Sequence, residues 1–375
     1  MSWWAEGDPV GGRRFADLGD LRLDSGRRLP SVRMAYETAG ALSPARDNAV
    51  LVLHALTGDS HLAGPAGPAH PTPGWWDGLV GPGAALDTDR WFVVCPNVLG
   101  GCQGTTGPSS PAPDGRAWGS RFPRVTVRDQ VRAEAALADA LGVDRWALVL
   151  GGSMGGMRVL EWAVEHPDRV TRAIPLATTP AASADQIAWC SAQLAAIRSD
   201  PHWNGGDYHD RPANGRPSVG LGVARRIAHV TYRSAVELEQ RFGRASQPGE
   251  DPADGGRYAV ESYLDHQAGK LAARFDAGSY VVLTEAMNSH DVGRGRGGVA
   301  AALGRVRADV AVVAVDSDRL YPVSQSEQIA RHVPGARGPL VVRSTAGHDG
   351  FLVETSAVGE VVAESLAAAA AVRAA

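Results

Sequence analysis

Arg145-Trp146-Ala147-Leu148-Val149-Leu150-Gly151-Gly152-Ser153-Met154-Gly155 is the stretch that decides how this chain is read. Its first six residues are mostly apolar and read as a short buried strand. Met157 to His166 follows as a helix, with Leu160, Trp162 and Ala163 on its apolar side. Between strand and helix stands G-x-S-x-G. A sharp strand-to-helix turn crowds its own backbone, so residues without a Cβ are needed around the serine. The turn lifts the Ser153 hydroxyl to the end of a sheet, above a helix N-terminus. Free N–H groups and the positive dipole end there favour a developing negative charge. Glycine is abundant (45 residues), so the pentapeptide alone also matches a Gly-rich turn with a bystander serine. The strand before it and the helix after it favour a nucleophile.

The flanking sequence continues the pattern. Ala49 to His54, Trp91 to Cys95, Val170 to Ala177, Val310 to Val315 and Leu340 to Val342 are short apolar, β-branched runs, and Val125 to Leu141 reads as a helix. Such runs separated by helices indicate a parallel sheet covered on both faces. With the elbow, they predict the α/β-hydrolase fold: a mostly parallel central sheet flanked by helices. The alternation stops between about Thr178 and Arg305. There Ala184 to Arg198, Val219 to Thr231, Tyr258 to Phe275 and Ser279 to Met287 are helical patterns without strands. The expected division is residues 1–177 and 306–375 for the two parts of the core, and 178–305 for an inserted helical lid. A packed helical subdomain without a gating role fits the same pattern. Ser365 to Ala375 reads as a fraying helix or tail.

Composition excludes several classes. With 44% hydrophobic and 21% charged residues, the chain can bury a large core. A net charge of −4 supplies no basic field for nucleic acid or anionic membrane. Cys95, Cys102 and Cys190 are too few, and odd in number, for a disulfide framework. Met1-Ser2-Trp3-Trp4-Ala5-Glu6-Gly7-Asp8 is not a signal peptide, and no apolar run has membrane-spanning length. The cytoplasm is the expected compartment. Histidines such as His61, His70, His202, His209 and His290 lack metal-ligand spacing, so no metal is expected. The run Gly293 to Gly298, with two arginines, suits a loop re-entering the core better than an RNA contact.

A serine needs a base, and the base an orienting acid; in this fold they follow in the order Ser, Asp or Glu, His. Asp316 and Asp318 come after the Val310–Val315 run, and His348 after the Leu340–Val342 run. Asp318 is preferred because it stands farther into the loop, before Pro322. The loop after the Ala49–His54 strand should supply the second oxyanion donor. Backbone N–H groups of Leu56 and Met154 are the candidates.

Several unusual strings occur together: His54-Ala55-Leu56-Thr57-Gly58-Asp59-Ser60-His61, Gly74-Trp75-Trp76-Asp77, Asn97 to Ser110, Gly151 to Met157, and Gly347-His348-Asp349-Gly350-Phe351-Leu352. Over nearly the whole chain the sequence resembles homoserine O-acetyltransferases of the α/β-hydrolase superfamily, of the actinobacterial type. The resemblance implies transfer of acetyl from acetyl-CoA to L-homoserine for methionine synthesis, through an acetyl-Ser153 enzyme, with Asp318 and His348 completing the triad. It implies a lid arginine for the homoserine carboxylate, Arg225 or its neighbour Arg226, and Asp349 for the amino group. It implies a homodimer joined through the lids, and no permanently bound cofactor. Arg158, where many members carry glutamine, is expected to stand apart from the chemistry. Related enzymes acylate serine or use a succinyl donor, and a serine esterase shares the fold.

Overall fold

The computed structural model describes residues 3–374, and the side chains of residues 3–368. Met1, Ser2 and Ala375, at the ends of the terminal segments read above, lie outside the described residues. Eight strands form one sheet: β1 (Arg14–Arg22), β2 (Arg28–Ala39), β3 (Ala49–Leu53), β4 (Phe92–Pro96), β5 (Leu148–Gly152), β6 (Arg172–Leu176), β7 (Asp309–Val315) and β8 (Arg337–Val342). Across the sheet they run β1-β2-β4-β3-β5-β6-β7-β8. β1 and β2 are antiparallel, and all pairs from β4 to β8 are parallel. Every residue of β3, β4, β5 and β6 is buried, which is why those strands read as unbroken apolar runs. The hairpin β1–β2 sits at the edge, with polar residues along both strands, and carries no comparable signal.

Helices α1 (Val127–Leu141) and α2 (Met154–Glu165) cover one face. Thr126 starts α1 with a reciprocal capping box to Asp129, and Gly142 ends it in the left-handed region at φ 69°. The long C-terminal helix packs Val358, Val362 and Leu366 against the other face; it runs from Thr355 to Ala374. Between β6 and β7 stand α3 (Ala184–Arg198), α4 (Ser218–Tyr232), α5 (Ala235–Phe242), α6 (Ala259–Ala272) and α7 (Ala277–Asn288). A third apolar cluster joins these helices to the sheet end, uniting Leu56, Met154 and Met157 with Leu194, Leu221 and Tyr280. The next helix, α8 (Val299–Leu303), already packs in the core beside α2. Arg294 and Arg296 of the Gly-rich run are spent on Asp24 (2.6 Å) and on Glu161 and Glu165 (2.6 and 2.9 Å). That loop is a structural staple. Among the described residues no helix is long and apolar enough to cross a membrane.

Candidate active site

The C-terminal ends of β3, β5, β7 and β8 meet at one place. Gly151 of β5 pairs in register with Leu53 of β3, and Gly152 with Leu176 of β6. The chain then turns through Ser153, at φ 58° and ψ −122°, into α2. The positive φ falls on the serine itself, a conformation costing on the order of 1–3 kcal/mol for a non-glycine residue. Neighbouring contacts hold it there. Ser153 N–H donates to the Leu176 carbonyl (3.0 Å), and Thr178 Oγ1 donates to the Ser153 carbonyl (2.8 Å). The flanking glycines are required by crowding: a Cβ on Gly155 would stand 2.0 Å from the Leu53 carbonyl oxygen, and one on Gly152 2.3 Å from the Phe351 ring.

His348 and Asp318 arrive from the loops after β8 and β7. His348 Nδ1 lies 2.6 Å from Asp318 Oδ2, and both side chains are buried. The other carboxylate oxygen accepts the N–H groups of Leu320 and Tyr321, both at 2.8 Å. Burial alone would lower the imidazole's pKa. The Asp318 charge and hydrogen bond outweigh that, and the net direction is upward. Tyr321, Phe351 and Tyr232 wall the ring, with centroids 4.9, 5.4 and 5.8 Å away. Tyr321 lines the cavity beside Ser153, and burial holds its phenol pKa well above the ordinary value. Neither tyrosine stood out in the sequence. Tyr232 was accessible only through its spacing: seven residues after Arg225, it lies two helical turns on, on the same face. Asp316, the rival acid, is exposed and accepts the Ser344 N–H at 2.9 Å.

Leu56, in the loop after β3, lines the cavity at Ser153, and Met154 follows Ser153 as the first residue of α2. Among the described residues neither N–H has an acceptor within the protein. Both Leu56 and Met154 are buried. Two such donors beside a buried serine are what a tetrahedral oxyanion requires.

The two candidate arginines separate. Arg226 turns away to Asp265, at 2.7 Å on a partly exposed surface. Arg225 turns inward, with Nη1 donating to Thr57 Oγ1 (3.3 Å) and its guanidinium 5.5 Å from the Tyr232 ring centre. Its Nε is buried without a partner among the described residues. Asp349 lies against the site but already has a cation: Arg233 Nη2 is 3.2 Å away, and Arg233 also bonds Glu237 at 3.0 Å. Burial raises the Asp349 pKa, while Arg233, His348 and Arg225 oppose that rise. Arg233, directly after α4, gave no sequence signal. Beside Ser153 is a cavity of about 20 Å³, lined by Leu56, Met157, Gln186, Trp189, Tyr232 and Tyr321. Two larger hollows, of about 650 and 710 Å³, lie on the surface and do not include the serine. We place the candidate site at the small cavity, because it is lined by Ser153 and Leu56 together with Tyr232 and Tyr321, the two tyrosines that flank His348.

His61 and His70, dismissed on spacing, come together with Glu37, their ligand atoms all within 4.8 Å. The fold does this by bringing the loop after β3 onto β2. The two rings stack at 3.9 Å with planes 6° apart. Parallel planes share no point, so one ion cannot take both in-plane lone pairs in this arrangement. The atoms are instead held by Glu37, 3.0 Å from His70 Nε2 and 3.5 Å from His61 Nδ1, and by Ser60 Oγ donating to Glu37 at 2.8 Å. The three cysteines are buried free thiols, and burial pushes Cys190 up to about 12, so none is a ready thiolate.

The profile of the alpha/beta hydrolase fold matches residues 48–355. Homoserine O-acetyltransferase of Thermobifida fusca (strain YX) is 64% identical over 365 residues, covering 97% of this chain and 96% of that one. The enzyme of the same name from Leifsonia xyli is 62% identical, over 95% of this chain and 90% of that one. The chain belongs to the homoserine O-acetyltransferase family. Its fold is matched by the crystal structure of the homoserine O-acetyltransferase from Bacillus anthracis, with TM-score 0.86, 29% identity, and 94% and 97% of the two chains covered. Esterase E22 matches equally in shape, with TM-score 0.86 at 25% identity over 94% and 99%. Members of the homoserine O-acetyltransferase family are acyltransferases, and this chain is one. A protein named an esterase shares this shape, so the fold alone does not separate transfer from hydrolysis.

Proposed function

We propose that this enzyme moves the acetyl group of acetyl-CoA to the hydroxyl of L-homoserine, in methionine biosynthesis, by a ping-pong route through acetyl-Ser153. His348 takes the Ser153 proton as Oγ forms a bond to the thioester carbonyl carbon. The N–H groups of Leu56 and Met154 hold the oxyanion. The C–S bond breaks, and CoA leaves with the proton from His348. Homoserine enters and gives its hydroxyl proton to His348. Its oxygen bonds the acetyl carbon, and the Ser153–acyl bond breaks as Oγ regains a proton. No resident cofactor is needed, because the acyl group arrives activated. The helical block of residues 178–305 acts as a lid that keeps water from the acyl-enzyme.

What supports this reading is Arg225, an inward-turned cation whose buried Nε lacks a partner among the described residues, within electrostatic reach of Asp349. A zwitterionic acceptor needs one partner of each sign, fixed in space. An esterase needs neither. The test is a panel of acetyl-CoA and succinyl-CoA against L-homoserine, L-serine and water, with thiol release followed. Acetyl-CoA with homoserine is expected to dominate. Equal thiol release without any acceptor would make the protein a hydrolase. Homoserine has one methylene more than serine, so serine would hold its hydroxyl short of the acyl carbon. A misplacement of about 1 Å costs on the order of a hundredfold in rate.

A further inference from the structure

We propose that Arg158, acting through His54, sets the direction of the Leu56 N–H and is a positioning residue for the oxyanion hole. The inference rests on the acyl-transfer reading above, in which that N–H binds the oxyanion.

Arg158 lies on α2, one turn and a half past the nucleophile, and is fully buried. Its Nη1 donates to Glu134 Oε1 of α1 at 2.7 Å, and Glu134 is fully buried as well. The second carboxylate oxygen accepts Trp162 Nε1 at 2.8 Å. A buried ion pair of this kind is weak evidence for stability, because desolvation offsets the attraction. Its other contact points to a role. Arg158 Nη2 donates to the carbonyl oxygen of His54, at the start of the loop that carries Leu56.

His54 completes the connection. Its Nε2 accepts the Val98 N–H at 3.1 Å, so its proton is on Nδ1, which donates to the Ala55 carbonyl at 2.7 Å. Gly58 N–H donates to the same oxygen at 2.9 Å. The Ala55 C=O and the Leu56 N–H belong to one planar trans peptide and point in opposite directions. Two donors holding the oxygen on the loop side therefore turn the N–H the other way, outward from the loop. The closure is tight: a Cβ on Gly58 would stand 2.8 Å from His54 Cβ. Burial, with the Arg158 charge, holds the His54 imidazole down at about 3. It therefore stays neutral and in one tautomer. A protonated ring could not accept from Val98.

Two pairs of variants test this. The first is Arg158→Met combined with Glu134→Gln, which removes both charges together, compared with Arg158→Lys. The second is His54→Leu compared with His54→Asn, whose amide can still donate to Ala55. Acylation of Ser153 is read as the burst with p-nitrophenyl acetate as well as with acetyl-CoA, so the outcome does not depend on the natural donor. We expect the apolar variants to lower the acylation rate constant by 10- to 100-fold, against the roughly 10²–10³ measured for losing an oxyanion donor outright. KM for acetyl-CoA should stay unchanged, and the lysine and asparagine variants should recover part of the rate. A trifluoromethyl ketone analogue of acetyl-CoA, which forms a tetrahedral oxyanion on Ser153, should lose affinity by the same factor, while CoA itself binds as before. Unchanged acylation in folded His54→Leu, or a loss confined to KM, would overturn the proposal. If the charge-removed variant does not fold, the His54 pair decides. A wild-type enzyme that bursts with the ester but fails to use homoserine would sink the acceptor assignment and leave the Arg158 inference standing.

Discussion

His348 Nδ1 and Asp318 Oδ2 are 2.6 Å apart in a buried pocket, whereas Asp316, two residues before Asp318, points to solvent and caps a loop N–H. Asp318→Asn should lower turnover by about four orders of magnitude, the size of effect seen when a triad acid is made neutral in place. Asp316→Asn should change it by less than about tenfold. Steady-state kinetics on the two variants checks the ranking, and the reverse order would reassign the acid.

Ser153→Ala should abolish transfer while circular dichroism stays that of the wild type, because alanine keeps a Cβ in the same φ region. Wild type mixed with acetyl-CoA alone should carry one acetyl group on the peptide containing Ser153, read by mass spectrometry. An adduct elsewhere, or intersecting initial-rate lines that demand a ternary complex, would contradict the covalent route.

The pH profile follows from the His348 direction. The base must be neutral to take the serine proton, so kcat/KM should rise with pH, with an inflection above the ordinary histidine value of about 6.5. Asp318→Asn removes the cause of the rise and leaves burial, so the inflection should move down. Stability runs the opposite way. A group with a raised folded pKa stabilises the fold fully below its unfolded pKa, and that contribution is lost as pH rises through the folded value. Activity and the His348 contribution to Tm should therefore trade places across the same window.

Arg225→Ala should weaken homoserine use while acetylation of Ser153 by acetyl-CoA proceeds nearly unchanged, since the first half-reaction needs no carboxylate grip. Arg226→Ala, which removes only a partly exposed pair with Asp265, should alter both steps little. Single-turnover measurement separates the steps. Equal loss in both halves would give Arg225 a structural or CoA-binding role.

Val219 and Val223 stand one turn apart on α4, 71% and 43% exposed, with Ile187 of α3 at 39%. Apolar side chains so placed on adjoining helices are a surface that a second copy can cover. We expect a homodimer joined through these helices, and Val219→Asp with Val223→Asp should convert it to a monomer in sedimentation at micromolar concentration. A wild-type monomer there would refute the assembly.

Much of this protein was determined by local sequence. Unbroken apolar runs at β3 to β7 could only be strands buried on both faces, and Gly151-Gly152-Ser153-Met154-Gly155 could turn sharply because its glycines leave room for Leu53 and Phe351. The order Ser153, aspartate, His348 followed from where those strands end. The tertiary structure alone decided the rest, since side-chain direction and long-range contact leave no trace in neighbouring residues. Asp318, preferred in the sequence for its place in the loop, is brought to His348 only by the fold, and Arg225 and Arg226, neighbours on one helix, differ in which way each points. Tyr321 and Arg233 join the site from loops whose composition is unremarkable. Glu37 reaches His61 and His70 only because β2 is folded beside the loop after β3. Arg158 read as remote from the chemistry, and it does remain away from the reacting atoms. Its pairing with Glu134 nevertheless leaves Nη2 to donate to the His54 carbonyl, an acceptor that only the fold brings there.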